Sequence, residues 1–342
     1  MYETRVRYLE VRSALLAGNP MGNPEHRLLA ALLPEDFDPA RRYPAVWMLD
    51  GLMGNGRTQL NHTGAVGVPF GEELLAYQRS GLLPRTIFLF PDCGTRLGGS
   101  QYIDSPACGP FMRHLVEELV PLADAELPTL ASPAARAVAG HSSGGFGALA
   151  VAMLRPGVFG SVIASAADSA FELSCTMHFG PAAITLARYG GAGAFLDKVF
   201  ALGDARRLAE EEHALLEMLA LGSCYSPAPE APGWCALPFA PDTAELEPDI
   251  WARWLAWDPE TLVREHGQAL AGLHHLHLDC GTDDCYFAQF GHRRISRQLT
   301  RMGIPHQLTE FPGGHEGTRY RYRDRFAQLG SVWARLPEHR VS

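Results

Sequence analysis

An apolar run, Ala135 to Ala139, stops at Gly140-His141-Ser142-Ser143-Gly144-Gly145, and a helical pattern carrying Phe146, Leu149 and Met153 begins at once. A chain that passes from strand to helix with no loop between them must turn sharply, and the turn forces its central residue into a strained backbone conformation. Small residues two before and two after that centre let strand and helix approach, and Gly140 and Gly144 stand there. The glycines are centred on Ser142 rather than on its neighbour Ser143. In this geometry the Ser142 hydroxyl stands clear of the sheet, and the Ser143 N–H at the helix start can point toward a developing oxyanion.

The remainder of the chain supplies the sheet that such a turn needs. Short apolar runs at Ala45 to Leu49, Thr86 to Phe90, Ala135 to Ala139, Ser161 to Ser165, His275 to Leu278 and Gln307 to Phe311 are each followed by Gly, Asp or Pro. They read as buried strands ending in loops at one sheet edge. Helical stretches lie between them at 110–120, ending at Pro121, at 143–154, at 287–302 and at 322–336, the last with Phe326, Leu329, Trp333 and Leu336 at helical spacing. Alternating strands and helices predict an α/β fold with a mostly parallel sheet. One interruption, residues 169–256, is Ala/Leu-rich helical material with Pro-rich loops, including Leu208, Leu215, Leu216 and Leu219. It reads as a helical cap over the carboxyl ends of the strands, between core segments 1–168 and 257–342.

A neutral serine hydroxyl is a poor nucleophile, so a histidine must take its proton and an acid must orient that histidine. Downstream, the His275 to Leu278 strand leads into Asp279-Cys280-Gly281-Thr282-Asp283-Asp284, a loop where an acid belongs, and Gln307 to Phe311 runs into Pro312-Gly313-Gly314-His315. Ser142, Asp284 and His315 are therefore the candidate triad. Asp283 is a weaker choice than Asp284, and Asp168, after the Ser161 to Ser165 strand, is a third candidate acid. His274, His275, His277 and His306 lie on or beside strands and read as packed or solvated. The second oxyanion donor should come from the loop after Ala45 to Leu49, with the Leu52 N–H preferred and Met53 second. Each such donor contributes roughly 3 kcal/mol in a transition state.

Several other chemistries are excluded or disfavoured. The net charge of −9 is spread along the chain, which argues against a nucleic-acid partner. No apolar run reaches the length of a membrane span and the first residues lack a secretory pattern, so the expected location is cytoplasmic. Cysteines at 93, 108, 175, 224, 235, 280 and 285 are odd in number and scattered, and the spacing of Cys280 and Cys285 fits neither a redox nor a zinc pair. They are expected to be reduced. Gly51 to Thr58 reads G-x-x-x-x-G-R-T, a phosphate-loop pattern with Arg57 where the lysine belongs, and is a decoy.

Taken together, Arg42-Tyr43-Pro44-Ala45 through Asp50-Gly51-Leu52, Gly98-Gly99-Ser100-Gln101-Tyr102, Gly140 to Leu149, Gly281 to Asp284 and Gly303-Ile304-Pro305-His306 through His315 resemble an esterase family. That family includes S-formylglutathione hydrolases, feruloyl esterases, enterochelin esterases and mycolyltransferases. The resemblance implies an α/β-hydrolase fold, Ser142 as nucleophile, Asp284 as acid, His315 as base, and Leu52 and Ser143 as oxyanion donors. It departs at Asp50-Gly51, where many esterases carry His-Gly, and at Ser143, where many carry methionine or tyrosine. The implied reaction is hydrolysis of a small-molecule ester without cofactor or metal; transfer of the acyl group to an alcohol or sugar, or binding without catalysis, are the alternatives. Tyr102, His141 and Trp254 are the expected substrate contacts, Trp254 because Trp234, Trp251, Trp254 and Trp257 cluster in the insertion and at its end and could wall an acyl pocket as well as fill a core. The sequence leaves the oligomeric state open.

Overall fold

Apolar runs of five or six residues become the middle of one sheet in the computed structural model, which describes residues 2–61, 67–203 and 207–335. The strands are β1 (Val6–Arg12), β2 (His26–Leu32), β3 (Ala45–Leu49), β4 (Ile87–Pro91), β5 (Arg136–His141), β6 (Ser161–Ser165), β7 (His275–Gly281) and β8 (Gln307–Phe311). Their order across the sheet is β1-β2-β4-β3-β5-β6-β7-β8. From β4 to β8 every neighbouring pair is parallel, whereas β2 meets both β1 and β4 antiparallel. This is an α/β-hydrolase fold.

Central strands are buried on both faces because helices cover both, and side chains alternate between two cores. Val46, Met48, Phe88, Phe90, Ala137, Ala139 and Ile163 pack against α1 (Phe70–Arg79) and the last described helix, α9 (Tyr322–Trp333). Ala45, Trp47, Leu49, Ile87, Leu89, Val138 and Val162 face the other way, toward α2 (Ser143–Leu154) and the helical segment 111–126. Helix α9 is tied down electrostatically as well: Asp279 of β7, fully buried, accepts from Arg325 and from Arg321, the latter at 3.3 Å. Paired in this way, the carboxylate escapes the several kcal/mol that an isolated buried charge would cost.

Between β6 and β7 lie α3 (Phe179–Tyr189), α4 (Ala192–Leu202), α5 (Glu210–Tyr225), α6 (Pro248–Leu255) and α7 (Pro259–His266); α8 (Ala288–Arg301) follows β7. The helices from α3 to α6 do not build a core of their own. Leu215, Leu219, Tyr225 and Trp254 join the same apolar cluster as Phe146 of α2, and the Tyr225 ring lies 5.8 Å from that of Phe146.

Strands β1 and β2 were not among the runs read from the sequence. Strand β1 reads Val-Arg-Tyr-Leu-Glu-Val-Arg and lies at the sheet edge with its charged residues exposed, so its apolar signal is diluted. Such charges are a usual protection of an edge. The expected helix stop at Pro121 is also absent, because the helix continues as Val120–Glu126. The turn before it, His114–Leu119, is π-helical, and Pro121 then falls in the first turn of the next segment, where it need not donate. Leu336 lies outside the described residues.

Candidate active site

The turn at Ser142 is as tight as its glycines imply. Ser142 has φ 57° and ψ −126°, a conformation held only where the surroundings over-determine it. A Cβ on Gly140 would fall 2.2 Å from the Gly144 backbone, and one on Gly144 would fall 2.3 Å from the Leu49 carbonyl oxygen. Any side chain at either position would force β5, β3 and α2 apart. The Ser142 N–H donates to the Ser165 carbonyl at 2.9 Å, which ties the turn to β6. Gln101, Tyr102, Ala166, Ala170 and Phe287 also hold positive φ.

The loops after β7 and β8 are equally close. A Cβ on Gly281 would lie 2.3 Å from the Gly313 carbonyl oxygen, and the Asp283 N–H donates to that same carbonyl at 2.9 Å. This junction sets Asp284 (2% exposed) against His315 (4% exposed), with Nδ1 of the imidazole 2.8 Å from Oδ2 of the carboxylate. The Tyr286 N–H donates to the other carboxylate oxygen at 2.9 Å. Burial alone would raise the pKa of Asp284, but the hydrogen bond and charge of His315, with backbone N–H groups, hold it below the ordinary carboxylate value. For His315, burial opposes protonation, yet Asp284 outweighs it and lifts the imidazole above its usual 6.5. Asp283, by contrast, is exposed, and its carboxylate accepts from the Thr282 hydroxyl beside it.

His141 and Tyr286 pack their rings on His315, with centroids 4.6 and 4.7 Å away. Burial, then the charge of His315, pushes His141 down to about 3, so it stays neutral beside the pair.

Asp168 has a different set of partners. Ser142 Oγ donates to its Oδ1 at 3.1 Å, while Ser143 Oγ at 2.8 Å and Gln101 Nε2 at 3.1 Å donate to Oδ2. Burial raises its pKa, and the three donors offset part of that rise. Its loop is fixed by His292, whose Nε2 accepts the Ala167 N–H at 2.9 Å. The carboxylate that holds His315 is thus Asp284, and the one that holds the two serines is Asp168.

The loop after β3 curls around its own acid. Asp50 accepts the Gly51 N–H at 3.0 Å, the Gly56 N–H at 3.2 Å and the Thr58 hydroxyl. A carboxylate therefore fills the centre of the apparent phosphate loop, and an anionic phosphate has no place there. Gly99 packs on this loop so closely that a Cβ would lie 3.3 Å from Leu52 Cα. Leu52 is half-buried beside Ser142, whereas Met53 is exposed.

Two expected substrate contacts are placed elsewhere. Tyr102 is buried against Gly147 and its hydroxyl donates to the Asp50 carbonyl at 2.9 Å, so it braces the loop after β3 and does not face the cavity. Trp254 is fully buried, donates from its indole N–H to Ser226 Oγ at 2.8 Å, and packs on Tyr225 and Trp251. Its apolar neighbours all lie within the fold, which makes it a core residue. His141, in contrast, does line the cavity.

That cavity has a volume of about 600 Å³ and is lined by Gly51, Leu52, His141, Ser142, Ser143 and His315, among others. It also exposes groups that sequence reasoning did not single out: Glu217 and His213 from α5, Tyr286, Glu316 and Arg319. Glu217 was detectable only as a charge breaking the Leu215, Leu216, Leu219 stripe. The histidines set aside as structural do lie away from it; His277 Nε2 pairs with Thr309 Oγ1 at 2.9 Å and His306 Nε2 with Ser296 Oγ at 2.7 Å. All seven cysteines are unpaired. Among the described residues no helix is long and apolar enough to cross a membrane.

A family model described as "Putative esterase" matches residues 24–328. The chain belongs to this esterase family. The family acts on carboxylic ester bonds, and the chain is a serine ester hydrolase by class. No curated protein matches the sequence closely enough to count as a relative. Solved structures similar to this esterase include a ferulic acid esterase, with TM-score 0.61 and 17% identity over 96% of this chain and 97% of that one. A fluorophosphonate-binding serine hydrolase F of Staphylococcus aureus aligns with TM-score 0.58 and 13% identity over 95% and 96%. An S-formylglutathione hydrolase from Agrobacterium tumefaciens aligns with TM-score 0.54 and 16% identity over 96% and 93%. At such identities these likenesses speak for the shared fold.

Proposed function

We propose that this esterase hydrolyses small acyl esters through an acyl-enzyme on Ser142, with His315 as general base and Asp284 as its orienting acid. The observation that carries the reading is the 2.8 Å contact between His315 Nδ1 and Asp284 in the cavity onto which the strained Ser142 turn opens. An Nδ1–H bonded to a buried carboxylate leaves Nε2 as the basic nitrogen. In the resting arrangement Ser142 donates to Asp168; rotation about χ1 redirects the hydroxyl to His315, a tightening of the kind expected when substrate binds. Attack on the carbonyl then passes the proton to Nε2, and the Leu52 and Ser143 N–H groups receive the developing oxyanion. The imidazolium returns its proton to the leaving alcohol, and water activated by the same nitrogen releases the acid. Every proton is carried by His315, so the sequence of steps needs no cofactor. Residues 169–256 act in this reading as a cap, since α5 brings His213 and Glu217 to the cavity wall.

The test is hydrolysis of p-nitrophenyl acetate and butyrate across pH. Neutral His315 is the active base and its pKa is raised above 6.5. Activity is therefore fully present above that raised pKa and lost as pH falls through it. The account predicts a kcat/KM profile with a half-maximum above about 6.5. A profile flat from about pH 5 to 8 with intact protein would remove His315 from the role of base.

A further inference from the structure

Beside Ser142 the cavity continues into a small side pocket of about 20 Å³, and Asp168, Glu217 and Tyr286 border both. The far wall is Phe171, Cys175, Leu221 and Tyr225. Two carboxyl groups from separate elements, the loop after β6 and helix α5, thus meet at one opening. Glu217 is poorly compensated. Among the described residues the titratable group paired with it is His178, with Nε2 3.7 Å from Oε1. Burial lowers the pKa of that histidine, so it brings no positive charge. The fully buried Tyr225 hydroxyl has no hydrogen-bond partner among the described residues either. Burial, then the charge of Asp168, pushes Glu217 up to about 8. Arg319, the cationic side chain on the main cavity wall, is already taken by Glu73 at 3.0 Å and by the Val68 carbonyl at 2.8 Å. The charge that does act on both carboxyls is that of His315, which is hydrogen-bonded to Asp284 and is neutral when it serves as base, so the pair is costly to ionise and a ligand carrying a positive charge and several N–H donors relieves that cost.

We propose that Asp168 and Glu217 form a cation-recognising subsite, so that the preferred esters carry a protonated amine close to the ester carbonyl and esters carrying a carboxylate there are rejected. The proposal rests on Ser142 being the acylated residue. Because Asp168 touches Ser142 Oγ, a group held between the two carboxyls sits within a few bonds of the carbonyl under attack. An ammonium suits the site better than a hydroxyl, since it neutralises charge as well as donating.

Three p-nitrophenyl esters of matched shape test it: those of β-alanine (cationic), butyric acid (neutral) and succinic acid (anionic). The expected kcat/KM is at least about tenfold higher for the cationic than for the neutral ester, and at least about tenfold lower for the anionic one. In Glu217→Gln the cationic-to-neutral ratio should fall by about tenfold or more. Equal ratios in the two proteins, or a wild-type preference for the succinate ester, would overturn the subsite. Calorimetric binding of benzylammonium against benzyl alcohol to Ser142→Ala, with and without Glu217→Gln, gives a readout without turnover. Ammonium binding that depends on Glu217, together with a wild-type protein that hydrolyses none of the three esters, would retain the subsite and discard the esterase mechanism. Ready hydrolysis with flat charge ratios, and no ammonium binding, would do the reverse.

Discussion

Replacing Ser142 with alanine is expected to lower kcat/KM for p-nitrophenyl butyrate by about ten-thousand-fold or more, leaving only what the oxyanion donors contribute by themselves. The substitution keeps the Cβ and removes only the Oγ that donates to Asp168, so the fold should survive, as circular dichroism and the thermal midpoint would show. Ser143 cannot stand in. It is buried in the first turn of α2, and its hydroxyl is held by Asp168 at 2.8 Å. Substantial activity in the alanine variant would place the chemistry elsewhere in the cavity.

The second large effect separates two carboxylates that the sequence leaves in competition. Asp284→Asn should lower kcat by about a thousandfold to ten-thousandfold, because an amide no longer holds Nδ1–H on the ring, and Nε2 ceases to be the basic nitrogen. Asp168→Asn should cost about tenfold or less with the same neutral ester, since its hydrogen bonds run to Ser142, Ser143 and Gln101 and none runs to His315. Burst kinetics on the two variants, measured side by side, settle the order. The reverse order would make Asp168 the acid and leave the His315–Asp284 contact a structural one.

How much of this was legible beforehand depended on how local the physics is. The Ser142 turn is written into six consecutive residues, because sterics at Gly140 and Gly144 act on neighbours in sequence; the Cβ distances of 2.2 and 2.3 Å are that constraint seen in space. The central strands were equally plain, since burial on both faces leaves continuous apolar runs. Strand β1 was not, because an edge strand turns charged residues to solvent. Asp284 and Asp283 are adjacent in sequence, and only the fold of the Gly281–Gly313 junction buries one and exposes the other. Trp254 and Tyr102 show the opposite limit. Aromatic side chains at helical spacing or in a matching segment carry no sign of whether they face a cavity or the core, and here both brace the fold from within. Glu217 reaches the site through packing of α5 across more than seventy residues of chain from Ser142, a contact no local pattern encodes.

The most direct test of the central claim is to mix the protein with a p-nitrophenyl ester, quench in acid within the first turnover, and map the acyl group by peptide mass spectrometry. The account predicts one added acyl group, carried by Ser142 and absent from the Ser142→Ala protein. Hydrolysis that proceeds with no adduct, or an adduct on Ser143 or any other residue, would contradict it.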